Sequence, residues 1–309
     1  MTTKIGIRAW IDFAFRKIFG KPGNEICLIS LLNAILSLVK PIVDVTIVNP
    51  YNQQEFKDDK LTILDIKAVD QDGAIYDIEM QLSIFSGLIK RVVFYGCEVY
   101  AGQLKAGDDY SKLKPVYSIC LLEGTLWAKS PKVHHAFRLT DAQSGRTLNH
   151  TLEIHTLELG WYNLKEADLP TASPLDRWIF WLMHAHEYDR ETLLKLLPDQ
   201  AFQMATRTLT RISEITEDKQ MYDSREKAIR DRQWALNASR SEGIAEGEIK
   251  GEIKGKIEGK IEGEIKLIRV LEEILQFPTS SENDLIGKSL EELQSIATTL
   301  QSRIRSRSI

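Results

Sequence analysis

Residues 61–81, LTILDIKAVDQDGAIYDIEMQ, constrain the fold more than any other stretch of this chain. Two apolar runs rich in β-branched residues flank Asp70-Gln71-Asp72-Gly73, whose closing Asp-Gly favours a hairpin turn. The reading is a strand over 61–69 and a strand over 74–81, side by side. Both carry charge where strands usually carry none: Asp65 lies inside the first, Glu79 inside the second, with Gln81 two residues on. Asp and Glu are depleted from strand interiors. Burying them costs several kcal/mol unless they are paired or bound to a cation. Side-chain alternation puts Ile75, Asp77, Glu79 and Gln81 on one face and Tyr76, Ile78 and Met80 on the other.

The surroundings suggest what this hairpin belongs to. DFAFRKIF (12–19) has helical spacing and stops at Gly20-Lys21-Pro22-Gly23. Asn24 is placed to cap a second, nearly all-apolar helix reaching about Leu38. VDVTIV (43–48) alternates as a strand. After the hairpin come a long helix over about 84–104 and the short apolar strand VYSICLL (116–122). Residues 133–160 read as a further hairpin, and the chain turns helical from about Leu175. The expected class is α/β: a mixed sheet flanked by helices, with a C-terminal helical region. The expected division is a domain over 1–165, a helical region over 166–241, and a tail over 242–309.

The tail is low in complexity. Glycine recurs every fourth residue from Gly243 to Gly263, isoleucine falls midway between, and Glu or Lys fills most other positions. A period of four drifts about 40° per repeat on a helix of 3.6 residues per turn. Each interior glycine costs roughly 1 kcal/mol. The same text also alternates at period two, so periodicity leaves the conformation open. Lys and Glu favour a marginal helix, stabilised by a partner. The last residues, 291–309, read as a short amphipathic helix with a basic end.

Two carboxylates with the Met80 carbonyl between them are hard oxygen donors suited to Mg²⁺ or Mn²⁺. Such an ion lowers the pKa of bound water and stabilises charge on a phosphodiester. Gln81 could orient the attacking water but, being neutral, could not take its proton. The same spacing also fits a bland arrangement, in which Asp77 and Glu79 are exposed on an edge strand and Asp65 pairs with Lys67.

The run ILDIKAVDQDGAIYDIEMQ (63–81), with LLNAIL (31–36), RVVFYGCEVYAGQLKAGDDYSKLKPVYSICLL (91–122) and the FxxIFG of the first helix, resembles the recombination-promoting nucleases, or PD-(D/E)XK nuclease family transposases. The resemblance spans roughly residues 8–240, and the charged repetitive tail is also typical of that family. It implies a restriction-endonuclease-like core and a Mg²⁺- or Mn²⁺-dependent DNA endonuclease linked to recombination, mobile elements or defence. By position it makes Asp65 the motif aspartate and Glu79 the acidic residue of the (D/E)XK half, both metal ligands. Gln81 stands where many superfamily members have lysine, a departure usual in this family that removes a cation from the site. Glu25 lies where some members place an accessory acidic ligand, and it equally suits a helix N-terminus.

Other features are weaker. Lys90 and Arg91, with Tyr95 nearby, are candidate DNA contacts or simply a solvated helix face. His134-His135, and His184 with His186, lack the spacing of a metal motif. Trp178 and Trp181 read as helix core. Cys27, Cys97 and Cys120 make neither a disulfide framework nor a thiolate zinc site. No P-loop or dinucleotide fingerprint occurs, no apolar run is long enough to span a bilayer, and a cytoplasmic protein is expected. The net charge of −4 argues against a polyanionic partner until it is divided by segment. Residues 1–130 carry 15 basic and 15 acidic side chains. The competing reading is a nuclease fold without turnover that forms a homo-oligomer through its C-terminal region.

Overall fold

The computed structural model describes residues 3–48, 66–82, 84–85, 87–127, 132–148 and 151–307. It divides the chain into two compact units, 1–228 and 229–309. The first unit opens with helices α1 (Asp12–Phe19) and α2 (Glu25–Leu36). Strands β1 (Val45–Ile47), β2 (Ile66–Asp70) and β3 (Ile75–Gln81) follow, then helix α3 (Leu88–Ala101) and strand β4 (Val116–Leu122). Strands β5 (His134–Arg138) and β6 (Leu152–Glu158) complete a six-stranded sheet in the order β1-β2-β3-β4-β6-β5. The β1–β2, β2–β3 and β5–β6 pairs are antiparallel, whereas β3–β4 and β4–β6 are parallel. This is the mixed sheet that the alternation and the connecting helix imply.

The β2–β3 turn forms for a local reason. Asp70 Oδ1 accepts from the backbone N–H groups of Asp72 and Ala74 at 2.9 and 2.9 Å, and Gly73 takes the left-handed φ of +87° that closes the turn. Tyr76 donates to Asp70 Oδ2 at 2.7 Å, which ties the turn to the strand leaving it.

Helices cover both faces of the sheet. On one, Leu88 and Val92 of α3 pack with Cys120 and Leu122 of β4, with half-buried Ile154 alongside. Gly96 permits this approach: a Cβ there would stand 3.2 Å from Leu152 and 3.5 Å from Ser118. On the other, Gly20 at the end of α1 sits against Ile66, where a Cβ would come within 3.1 Å. Helices α4 (Pro174–His184), α5 (Arg190–Leu196) and α6 (Gln200–Glu214) follow the sheet. Trp178 and Trp181 are buried, as their spacing implies. Their indole N–H groups donate at 3.0 Å to Ser30 and at 3.0 Å to Thr206.

Several boundaries differ from the sequence reading. The helix expected over 84–104 is α3, 88–101: Gly87 enters it at φ +94° and Gly102 ends it. The helix expected to reach Leu38 stops at Leu36, where Ser37 adopts φ +47°. Asn24 stands at the N-cap position of that helix, but its side chain makes no capping hydrogen bond. Its amide instead donates to the Lys17 carbonyl at 3.0 Å and the Thr208 hydroxyl at 3.2 Å.

The unit boundary falls inside helix α7 (Thr216–Leu275), which runs unbroken through the glycine repeat. Ion pairs one turn apart, Lys250–Glu246, Lys254–Glu258 and Lys256–Glu252, offset part of the glycine cost. In the second unit α7 is followed by α8 (Glu282–Ile286) and α9 (Leu290–Arg307). Ile268, Leu271 and Leu275 of α7 form a core with Leu285, Leu293, Ala297 and Leu300. No helix among the described residues is long and apolar enough to cross a membrane.

Candidate metal centre

Strand β3 is interior, between β2 and β4, which removes the exposed-edge reading of its acids. Asp77 is 1% and Glu79 4% exposed, and Gln81 is buried beside them. The register places Asp77 beside Lys67 and Ser118, Glu79 beside Cys120, and Gln81 beside Leu122. These side chains share the face on which α3 packs. The Gln81 carbonyl accepts from Glu123 N–H at 3.1 Å, anchoring the end of β3 to the end of β4. Met80 pairs with Leu121, and its side chain is buried on the opposite face. Asp65 lies outside the described residues.

Glu79 offers carboxylate oxygens, hard donors of the kind a divalent cation takes, on a face it shares with Asp77 and Gln81. Glu25 is engaged locally, where its carboxylate accepts from Gly23 N–H at 2.9 Å through each oxygen. Lys90 is exposed on α3, and the Arg91 guanidinium lies 5.3 Å from the centre of the Tyr95 ring.

The structure adds a carboxylate that strand spacing alone did not single out. Glu158, at the end of β6, is fully buried and accepts from the backbone N–H groups of Leu126 at 2.7 Å and Trp127 at 3.3 Å. Register carries the row from Gln81 through Leu122 to Glu158, so Glu158 lies two strands away on the same face, roughly 10 Å across the sheet. His135 Nε2 approaches its other oxygen at 3.6 Å. Between α3 and this end of the sheet is an apolar cavity of about 180 Å³ lined by Val92, Cys120, Leu126, Trp127 and Phe137.

The opposite face holds a separate polar chain. Arg138 pairs with Glu153 at 2.8 Å, Glu153 lies 3.4 Å from His155, and His155 Nδ1 meets His134 Nε2 at 2.9 Å. Burial, ahead of the neighbouring His155, drives the His134 imidazole down to about 4, and burial also lowers His155 against the pull of Glu153. Among the described residues no group of three or more His, Cys, Asp or Glu is arranged to hold a metal. Cys27, Cys97 and Cys120 are free thiols. The signal that could have marked Glu153, His155 and Glu158 is polar residues within the strand-like LEIHTLE.

The sequence model of the PD-(D/E)XK nuclease family transposases matches residues 9–239. No curated protein and no solved structure matches the chain.

Proposed function

Since the chain belongs to the PD-(D/E)XK nuclease family transposases, a nuclease-type family whose members generally use divalent metal ions, we propose that it is a Mg²⁺- or Mn²⁺-dependent endonuclease that hydrolyses DNA phosphodiester bonds. Its setting would be recombination, mobile elements or defence. The observation that supports this reading is Glu79: a carboxylate buried in an interior strand, with Gln81 next along its face. Acidic residues are depleted from strand interiors, and a site that uses the carboxylate accounts for one there.

Asp65, Glu79 and the Met80 carbonyl would hold the ion, with Glu25 a weaker candidate. When bound, it would supply charge for the scissile phosphate and a lower pKa for water. Glu79 binds and orients through its carboxylate. The Gln81 carboxamide can hold a water by accepting its hydrogen while donating to a phosphate oxygen, but it takes no proton. Proton removal then falls to a carboxylate or to the substrate itself. Lys90 and Arg91 are candidates to meet the DNA backbone from α3. The test is plasmid nicking with Mg²⁺ or Mn²⁺: wild type should nick and Asp65→Ala should not. Equal background in both would end the enzymatic reading.

A second, compatible reading is self-assembly through α7. Ile244, Ile249, Ile253 and Ile257 are each about half exposed. Their stripe continues into Ile261 and Ile265, which pack on the core of the second unit. Residues 248–262, EIKGEIKGKIEGKIE, read identically in both directions about Gly255. Two antiparallel copies centred on Gly255 would therefore meet isoleucine on isoleucine, with Lys250 level with Lys260 of the second copy and flanked by its Glu258 and Glu262. A monomeric mass for the full chain by light scattering would rule this out.

A further inference from the structure

A cleft of about 450 Å³ opens in the first unit between the α1–α2 turn, α6 and the first turn of α7. Four cationic residues line it, Lys17, Lys21, Arg207 and Arg211, against one lining carboxylate, Asp218. Lys17 pairs with Asp218 at 2.7 Å. Lys21, Arg207 and Arg211 have no ion-pair partner among the described residues. Arg207 and Arg211 lie one turn apart on α6, an arrangement of like charges that destabilises the free helix and so favours an anion between them. Guanidinium pairs suit phosphate in particular, because their planar forks match its oxygens. Asn24 and Thr208, joined at 3.2 Å, add polar groups to the wall.

The position of the cleft indicates which phosphate. Lys17 and Lys21 bracket Gly20, and Gly20 sits against Ile66 at the start of β2. Ile66 pairs with Ile78, the residue before Glu79. The cleft therefore opens towards the end of the β2–β3 hairpin that carries the candidate metal ligand, on the face of the sheet opposite Glu79. We propose that Lys21, Arg207 and Arg211 form a backbone-binding surface for duplex DNA, gripping phosphates at a distance from the one to be cut. This rests on the DNA substrate proposed above.

The experiment uses the full chain and a short fluorescent DNA duplex in metal-free buffer, so that binding is read without cleavage. Affinity is followed by anisotropy between about 50 and 200 mM salt. Arg207→Gln/Arg211→Gln should lower the slope of log affinity against log salt by about 1.8, at roughly 0.9 per phosphate contact. Lys21→Gln, which lies outside any helix, should lower it by about 0.9 even if the double variant folds poorly. The control, Arg232→Gln on the exposed part of α7, should leave it unchanged. Unchanged slopes in the cleft variants, or a wild type without salt-dependent binding, would overturn the proposal. Slopes that fall as expected in a protein that never nicks would keep the cleft and defeat the enzymatic reading. Normal nicking with unchanged slopes would do the reverse.

Discussion

Glu79 concentrates the question of function in one side chain. At 4% exposure it sits in an interior strand beside Cys120, largely shielded from bulk water. Glu79→Gln keeps the shape and loses the charge. Its metal affinity, read by calorimetric titration of Mn²⁺, should fall by more than the roughly 10–100-fold that losing an outer-shell partner costs. Unchanged Mn²⁺ binding would remove Glu79 from the site. The His134–His155 pair makes a separate claim about pH. Both imidazoles are depressed below the ordinary 6.5, His134 to about 4, so the folded protein holds them neutral while the unfolded chain would protonate them. The stability this contributes is full above the unfolded value and is lost as pH falls from about 6.5 towards 4. Thermal melts should therefore show the midpoint dropping over that window, and less so in His134→Gln. Equal acid sensitivity in variant and wild type would refute it.

Among the elements, α7 is the one whose sequence argued against itself. Glycine at every fourth position weakens a helix, yet none of the six meets anything within 4 Å of an added Cβ. Their cost is the backbone entropy of glycine alone. Gly251→Ala and Gly255→Ala should each stabilise α7 by about 1 kcal/mol. Circular dichroism on heating would register this as greater retained helicity, and no gain would mean that the glycines serve a close contact. Gly20 is the opposite case. A Cβ there meets the Arg16 carbonyl and Ile66 at 3.1 Å each, so Gly20→Ala should destabilise the first unit, and an unchanged melting midpoint would contradict that packing.

At the scale of the whole molecule, the net charge of −4 says little, because it averages over parts that do different things. Four cations and one carboxylate line a single cleft of the first unit, while the repeat lays Glu and Lys along α7 in one-turn pairs. The polyanion argument therefore turns on local rather than total charge. If the α7 stripe assembles copies, Ile253→Lys/Ile257→Lys should reduce the mass seen by light scattering to that of one chain without altering the nicking rate. An unchanged oligomeric mass would place the interface elsewhere.

The hairpin at Asp70–Gly73, the apolar strand over 116–122, the tryptophan core of α4 and the family motif were all legible in the amino-acid order. Each depends on neighbours within a few residues, or on a pattern the chain carries in itself. What the order did not determine was whether β3 lay at an edge or inside. That depends on β4, 41 residues further on from Ile75 to its partner Val116, forming a parallel pair through α3. Glu158 and the cleft of Lys21, Arg207 and Arg211 were hidden for the same reason. Their members come from distant parts of the chain and share no local period, so only the tertiary packing could bring them together.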